Sequence, residues 1–348
     1  MQKRSIENEI KARAASLGFP LCRITSPEPP ANYAQYLEWL ARHHHAGMAY
    51  LESAYHKEMR QDPVRLFPGL GSIIVLGFPY NLPSTGQIEH NDRGLISGYA
   101  AGEDYHLRIP RLLQPLIDFL VESFNMKTLP RVFTDSAPIL ERELAHRAGL
   151  GWIGKNGCLI SPKWGSSFLL AEVFTEILLN PDTPLDIDYC GTCRRCIDAC
   201  PTGCILPNRT IDANDCISYH SIENRKLIPE AIMERFTNQL FGCDICQSVC
   251  PWNRFSPMDL NNEETSKLLT LDQMVSILFM DESAFNERFG NTPVSRVRLT
   301  GLRRNILIFL GNTGQMRALE TIRNFLATES DPVLQYTANW ALRRITSK

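Results

Sequence analysis

The sequence contains no run of 18 apolar residues and carries almost no net charge, and each absence excludes something. Without such a run no segment reads as a membrane-spanning helix. With 36 basic and 38 acidic residues the 348-residue chain has a formal charge of -2. It is therefore no polycation, and any nucleic-acid surface has to be local. The stretch MQKRSIENEIKARAASLGF is charged and helix-periodic and lacks the apolar centre of a signal peptide, so the expectation is a soluble cytoplasmic protein with no membrane partner. Cysteine is scarce outside one segment. Of 11 cysteines, eight stand at ligand-like spacings between Cys190 and Cys250, leaving Cys22, Cys158 and Cys204 over. A secreted disulfide framework belongs to chains below about 100 residues with an export signal, so a reduced compartment and a metal centre fit instead.

The length allows two or three domains. Up to about residue 180, helix and strand signals alternate, which predicts an α/β domain. IENEIKARAASLGF places Ile6, Ile10 and Ala14 on one helix face and stops at Gly18, and ANYAQYLEWLARH repeats the pattern through Tyr33, Leu37 and Leu40. GSIIVLGFPYN and RVFTD read as strands. The cysteine segment lies among Pro, Gly and Asn with little core of its own, so metal has to supply cohesion there. From Val294 onward three amphipathic helices follow, carrying Leu302, Ile306 and Phe309, then Leu319, Ile322 and Leu326, then Leu334, Ala338, Ala341 and Ile345 behind an Asp331-Pro332 cap. A HEAT-like repeat is the expected arrangement. This last segment has nine Lys and Arg (Arg296, Arg298, Arg303, Arg304, Arg317, Arg323, Arg343, Arg344, Lys348) against Glu320, Glu329 and Asp331. Its +6 against -8 for the rest is the separation a phosphate-binding face requires, although a solvated Arg-rich helix surface has the same composition.

The stretch CGTCRRCIDACP places Cys190, Cys193, Cys196 and Cys200-Pro201 in the C-x2-C-x2-C-x3-C-P pattern of two-cluster ferredoxins, whose fourth thiolate goes to the other cluster. CDICQSVCP supplies Cys243, Cys246 and Cys250-Pro251, and Cys216 completes the second set. By this crossover rule one 4Fe-4S cluster takes Cys190, Cys193, Cys196 and Cys250, and the other takes Cys200, Cys216, Cys243 and Cys246. Zinc, the competing metal, has no use for the third and fourth cysteines or for the Cys-Pro closure.

The pieces TDSAPILERELAHRAGLGWIGKN, CGTCRRCIDACPTG, CISYHSIE and FGCDICQSVCPWN, with RQDP and ISGYAAGEDYH, closely resemble the epoxyqueuosine reductases, cobalamin-dependent iron-sulfur enzymes related to reductive dehalogenases. The resemblance covers nearly the whole chain. It implies reduction of epoxyqueuosine to queuosine at the tRNA wobble position, with cobalamin and two 4Fe-4S clusters as cofactors. It also implies epoxyqueuosine-bearing tRNA as substrate, an external low-potential electron donor and a monomer. The implied organisation is a multidomain α+β fold. An α/β corrinoid-binding catalytic domain spans 1-180, a ferredoxin-like two-cluster domain 181-258, and a HEAT-like helical domain, the expected tRNA-binding surface, 259-348.

Residue by residue, the resemblance makes Asp135 the proton donor and points to Arg60, Ser97, Lys155, Asn156, Ser218 and Asp244, with Asp135, for the corrinoid pocket. Such an acid has to hold its proton until it is needed, so burial is expected to raise the pKa of Asp135. A helix N-cap is the competing role for Asp135. His106, in the partial run Asp104-x-His106, is not assigned to cobalt because Ile109 stands where the cobalt-histidine motif has glycine; substrate contact or packing is expected. His43 to His45 read as a solvated helix end. The chain departs from the family's usual residues at Cys204, Gly98 and Ala137. The alternatives are a corrinoid reductase of a small molecule and a ferredoxin-like electron carrier; the first leaves the basic helices unexplained, the second the first 180 residues.

Overall fold

A computed structural model describes residues 5-82, 92-255 and 267-347. The catalytic region is built on one four-stranded sheet, ordered Leu21–Thr25, Ser72–Pro79, Phe168–Thr175, Arg131–Phe133. The alternation of helices and strands is as expected, but every pairing in this sheet is antiparallel, so the region is α+β and not the α/β arrangement the alternation predicted. Alternation along the chain does not fix strand direction, because a helical connection can return to either end of a sheet.

The apolar run of Ser72–Pro79 is explained by burial on both faces. Ile74 and Leu76 pack with Ile10 and Ala14 of the helix Ile6–Ser16 and with Ile109 and Leu113 of the helix Tyr105–Ser123. Ile73 and Val75 point the other way, onto Leu144, Ala145 and Ala148 around the helix Glu141–Arg147. The helix Tyr33–Ala41 forms as expected with Leu40 buried, although Leu37 is exposed. Beyond its end the three histidines are not uniformly solvated as expected. His43 is exposed, whereas His45 is buried, with Nε2 3.1 Å from Glu52. Left-handed backbone at His43 and Ala46 turns the chain inward there.

A second sheet joins Gly94–Ile96 to Gln239–Phe241 in parallel and to Lys267–Leu269 antiparallel. Around it Ile96, Ile217, Leu240 and Phe241 share one core with Leu302, Ile306, Phe309 and Trp340. The cysteine segment thus gains its apolar cohesion from the C-terminal helices Arg298–Thr313, Ala318–Thr328 and Pro332–Thr346, which lie where the sequence periodicity placed them. Two polar side chains of the first fasten it to the cluster region. Asn305 Nδ2 donates to the Ser221 and Leu240 carbonyls, both at 2.8 Å. Arg304 donates to the Asn224 and His220 carbonyls, both at 2.6 Å. The boundary expected near 258 and 259, and Lys348, lie outside the described residues.

Candidate active site and cluster-binding region

Asp135 follows the strand Arg131–Phe133 in left-handed backbone, φ 56°, which costs a non-glycine residue on the order of 1 kcal/mol. Its side chain lies on the wall of a cavity of about 330 Å³, together with Tyr105, Glu141, Cys158 and Gln247. It caps no helix: the helix Glu141–Arg147 begins after Leu140, so the capping role is not the one it plays. Tyr105 Oη donates to Asp135 Oδ2 at 2.7 Å. His106 Nε2 is 3.6 Å from the same oxygen, while its Nδ1 is 2.7 Å from Asp104 Oδ1. Arg296, from the segment before the first C-terminal helix, comes within 4.0 Å of Asp135.

These neighbours reverse the expected titration. Desolvation pushes the Asp135 carboxyl up, but the nearby His106 imidazole, the Tyr105 hydrogen bond and the charge of Arg296 outweigh it, so the group is held below the usual carboxylate range. Burial lowers His106, yet its contacts with Asp135 and Asp104 prevail and its pKa is raised. The shift of Asp135 is thus the opposite of the one expected, and His106, expected in a substrate or packing role, lies against Asp135.

The eight cysteines gather as two groups. Cys196 feels Cys190 and Cys250, and Cys250 feels Cys190 and Cys193. Cys243 feels Cys216 and Cys200, and Cys246 feels Cys243 and Cys216. Among the described residues no three His, Cys, Asp or Glu converge tightly enough for a single ion. Thiolates around a cube stand further apart than four ligands at about 2.3 Å from one zinc. Trp152 covers the first group, donating from Nε1 to Cys190 Sγ at 3.4 Å. Cys204 is buried, with Sγ 3.5 Å from Cys200 Sγ.

The cavity and the cysteines are adjacent. Cys158, on the cavity wall, lies within electrostatic reach of Cys246 and also of Cys196 and Cys250, and Gln247 follows Cys246 directly. The expected corrinoid residues divide. Asp244 is buried beside Cys243 and accepts the Gly98 N–H at 2.8 Å. A Cβ on Gly98 would stand 1.9 Å from the Asn81 carbonyl oxygen, which accounts for glycine there. The Asn156 amide nitrogen is buried without a hydrogen-bond partner among the described residues, while the Ser97 hydroxyl is buried against the Asp244 carboxyl. A buried group left unmatched costs about 1 to 3 kcal/mol unless something polar meets it, so Asn156 fits a bound polar cofactor. Ser218 is half-buried, and its carbonyl accepts from Ser221. Arg60 turns to His56 Nδ1 at 2.7 Å and to the Tyr36 ring. Lys155 is committed elsewhere: Nζ donates to the Gly191 and Cys193 carbonyls at 2.6 and 2.9 Å, tying the first cysteine loop down.

The 4Fe-4S double cluster binding domain family matches residues 189-253, and the family described as epoxyqueuosine reductase QueG, DUF1730, matches residues 60-136. An epoxyqueuosine reductase from Cyclobacterium marinum is 42% identical over 299 residues, covering 85% of this chain and 94% of the relative. The chain belongs to the epoxyqueuosine reductase family. A crystal structure of an epoxyqueuosine reductase with an epoxyqueuosine-modified tRNA-Tyr stem loop superposes with a TM-score of 0.88 at 26% identity, covering 98% of this chain and 90% of that one. A Bacillus subtilis epoxyqueuosine reductase, solved with its catalytic aspartate loop swung out of the active site, gives 0.85 at 26% identity with the same coverage of 98% and 90%.

Sequence reading missed Tyr105, Glu141, Cys158 and Gln247 on the wall of this cavity, and placed His106 in a substrate or packing role without its contact to Asp135. Glu141 lies in the same quoted stretch as Asp135, and Cys158 was already a cysteine without a task. His106 has no local signal, because its partner Asp135 is reached only through the turn of a helix against the sheet.

Proposed function

We propose that this enzyme reduces epoxyqueuosine to queuosine at the wobble position of tRNA, the last step of queuosine biosynthesis. Electrons from an external low-potential donor pass singly through two 4Fe-4S clusters to the cavity. The observation that carries the reading is Asp135, with His106 Nε2 3.6 Å from its carboxyl, on the wall of a cavity that reaches the cysteines through Cys158 and Gln247. Cys190, Cys193, Cys196 and Cys250 hold the outer cluster, and Cys200, Cys216, Cys243 and Cys246 the inner one; the two thiol groupings support this assignment. Asp135, Arg60, Ser97, Lys155, Asn156, Ser218 and Asp244 line or support the corrinoid site, the buried unpartnered amide nitrogen of Asn156 being the strongest support. Bound there, the reduced corrinoid supplies the electrons that break the epoxide carbon-oxygen bond.

The protein's own part is the proton. Removing the epoxide oxygen as water takes two electrons and two protons. Tyr105 fixes Asp135 Oδ2 by its hydrogen bond, and His106, oriented through Nδ1 by Asp104, holds a proton at Nε2 facing that oxygen. Asp135 passes this proton to the departing oxygen, and a second, taken up from solvent by the same pair, completes the water. A wobble base has to be unstacked to enter the cavity. Arg296, bridging Glu223 at 2.7 Å and Asp135, stands where such a nucleotide arrives.

The C-terminal basic face is narrower than composition indicates. Arg304 is buried, and Arg303, Arg343 and Arg344 are paired with Glu329, Glu230 and Glu234. Arg298, Arg317 and Arg323 are exposed, and no ion pair involves them among the described residues, so they are the phosphate contacts of a HEAT-like helical unit. Arg304→Ala is expected to cost about 3 kcal/mol of stability, because it strands two buried carbonyls. Arg298→Ala leaves the melting temperature unchanged but weakens tRNA binding and reduces its salt dependence. The organisation into 1-180, 181-258 and 259-348, the monomeric state and the cytoplasmic location complete the proposal.

The test is nucleoside mass analysis of epoxyqueuosine-bearing tRNA after anaerobic incubation with the reconstituted enzyme and a low-potential reductant, with and without cobalamin. Cobalamin-dependent loss of one oxygen supports the proposal. Unchanged tRNA with clusters and corrinoid both bound overturns it in favour of a small-molecule substrate.

A further inference from the structure

Glu172 sits where a core residue belongs. Along the strand Phe168–Thr175, the face turned toward the helix Glu141–Arg147 reads Phe168, Leu170, Glu172, Phe174, so a carboxyl interrupts an apolar row. Its cross-strand neighbours are Val75 and Phe133. It is fully buried, no N–H or hydroxyl donor of the described residues meets either oxygen, and the side chain within hydrogen-bond reach is the Glu141 carboxyl. An ionised carboxyl is too costly in such surroundings, and burial, then Glu141, push its pKa well above the ordinary value. Glu141 in turn accepts the Asp135 backbone N–H on Oε1 at 2.6 Å. That bond falls on the residue whose left-handed backbone, φ 56°, aims its carboxyl into the cavity.

We propose that Glu141 and Glu172 are positioning residues for the catalytic aspartate: Glu141 grips the Asp135 N–H and holds the loop in, and Glu172, as a neutral carboxylic acid, is the donor that holds Glu141. The inference rests on the reading of Asp135 as the acid. The other charged groups facing the pair are Asp135, Arg142 and Arg60. Arg142 is engaged by the Gly157 carbonyl and Arg60 by His56, and neither makes an ion pair with Glu141 among the described residues. Protonation thus takes the place of a counter-ion. The Bacillus subtilis relative with its loop swung out shows that a loop of this kind has a second position.

Burial and the neighbouring Asp135 push Glu141 up to about 8 from 4.5. Across that window the folded protein keeps a proton the unfolded chain has released, so this group's contribution to stability falls as pH rises. The experiment is steady-state reduction of epoxyqueuosine-bearing tRNA by reconstituted holoenzyme, with iron content, corrinoid binding and melting temperature measured on each variant. Glu141→Ala lowers kcat by roughly 10- to 100-fold while KM for tRNA and both cofactor contents hold. Glu141→Gln, whose amide oxygen still accepts the N–H, recovers most of the loss. Glu172→Gln, which keeps a donor, is far less damaged than Glu172→Leu. The melting temperature drops less between about pH 5 and pH 8.5 in Glu141→Gln than in the wild type. Wild-type kcat in Glu141→Ala overturns the proposal, as does a Glu141→Gln variant no better than alanine. Should Glu172→Leu fail to fold, the glutamine variants and the melting comparison still decide. Wild-type turnover by Asp135→Ala would instead sink the reading of the acid, leaving the melting comparison to report on the pair alone.

Discussion

Asp135→Ala is expected to lower the single-turnover rate of epoxyqueuosine reduction by about 100- to 10,000-fold, the range over which a positioned general acid contributes. Its cysteines are untouched, so both clusters assemble. The loss should therefore lie in the chemical step, with KM for tRNA nearly unchanged. Asp135→Asn should be almost as damaged, since the amide still accepts from Tyr105 Oη but cannot receive and pass on a proton. The pH profile distinguishes this account from simple carboxylic-acid catalysis. Asp135 itself is held low, and the proton is kept by His106, whose pKa is raised above 6.5. The rate should be full below that raised value and fall as pH rises through it, because a neutral His106 has no proton to return to Asp135. In His106→Gln this limb should disappear and the residual rate should be low and flat. A wild-type profile that falls near the ordinary carboxylate value instead would place the proton on Asp135 and refute the relay.

Cys246→Ala should remove the inner cluster and with it turnover. Iron content should fall from about eight to about four atoms per chain, since each cube carries four. Cys250→Ala should also leave about four, but those of the inner cluster, despite Cys250 lying four residues from Cys246 in the chain. The two variants should therefore differ in their reduced electron paramagnetic resonance spectra. In Cys250→Ala a chemical reductant small enough to reach the inner cluster directly should restore part of the turnover. In Cys246→Ala it should not, because the site beside the cavity wall of Cys158 and Gln247 is then empty of metal. Identical spectra from the two variants would mean that the ligands are not exchanged between the two motifs.

The double-cluster segment was legible in the sequence because such chemistry imposes local spacing: a thiolate every third residue in a turn of backbone is needed to wrap a cube, and the Cys-Pro closures mark the ends. The helices were legible for the same kind of reason. The rows Ile10–Ala14, Leu302–Ile306–Phe309 and Leu334–Ala338–Ala341 each follow from one helix having one buried face. Asp135 was legible only through its resemblance to a family, since an aspartate after a strand is equally a cap.

What the sequence left open is what depends on distant segments meeting. Strand direction was not in the alternation of elements, and the sheet proved antiparallel. The charge of the last helices did not say which arginines face solvent, and burial of Arg304 against two carbonyls removes it from any phosphate surface. Most of all, the direction in which Asp135 is shifted was not in the sequence. A carboxyl's pKa is set by what stands within a few ångströms, and for Asp135 those neighbours are Tyr105, His106 and Arg296, the tyrosine 30 residues away in sequence and the arginine far beyond. Spacing along the chain determined the cysteine motifs; only the packing of one helix, one loop and one distant arginine around the end of a strand decided the surroundings of Asp135.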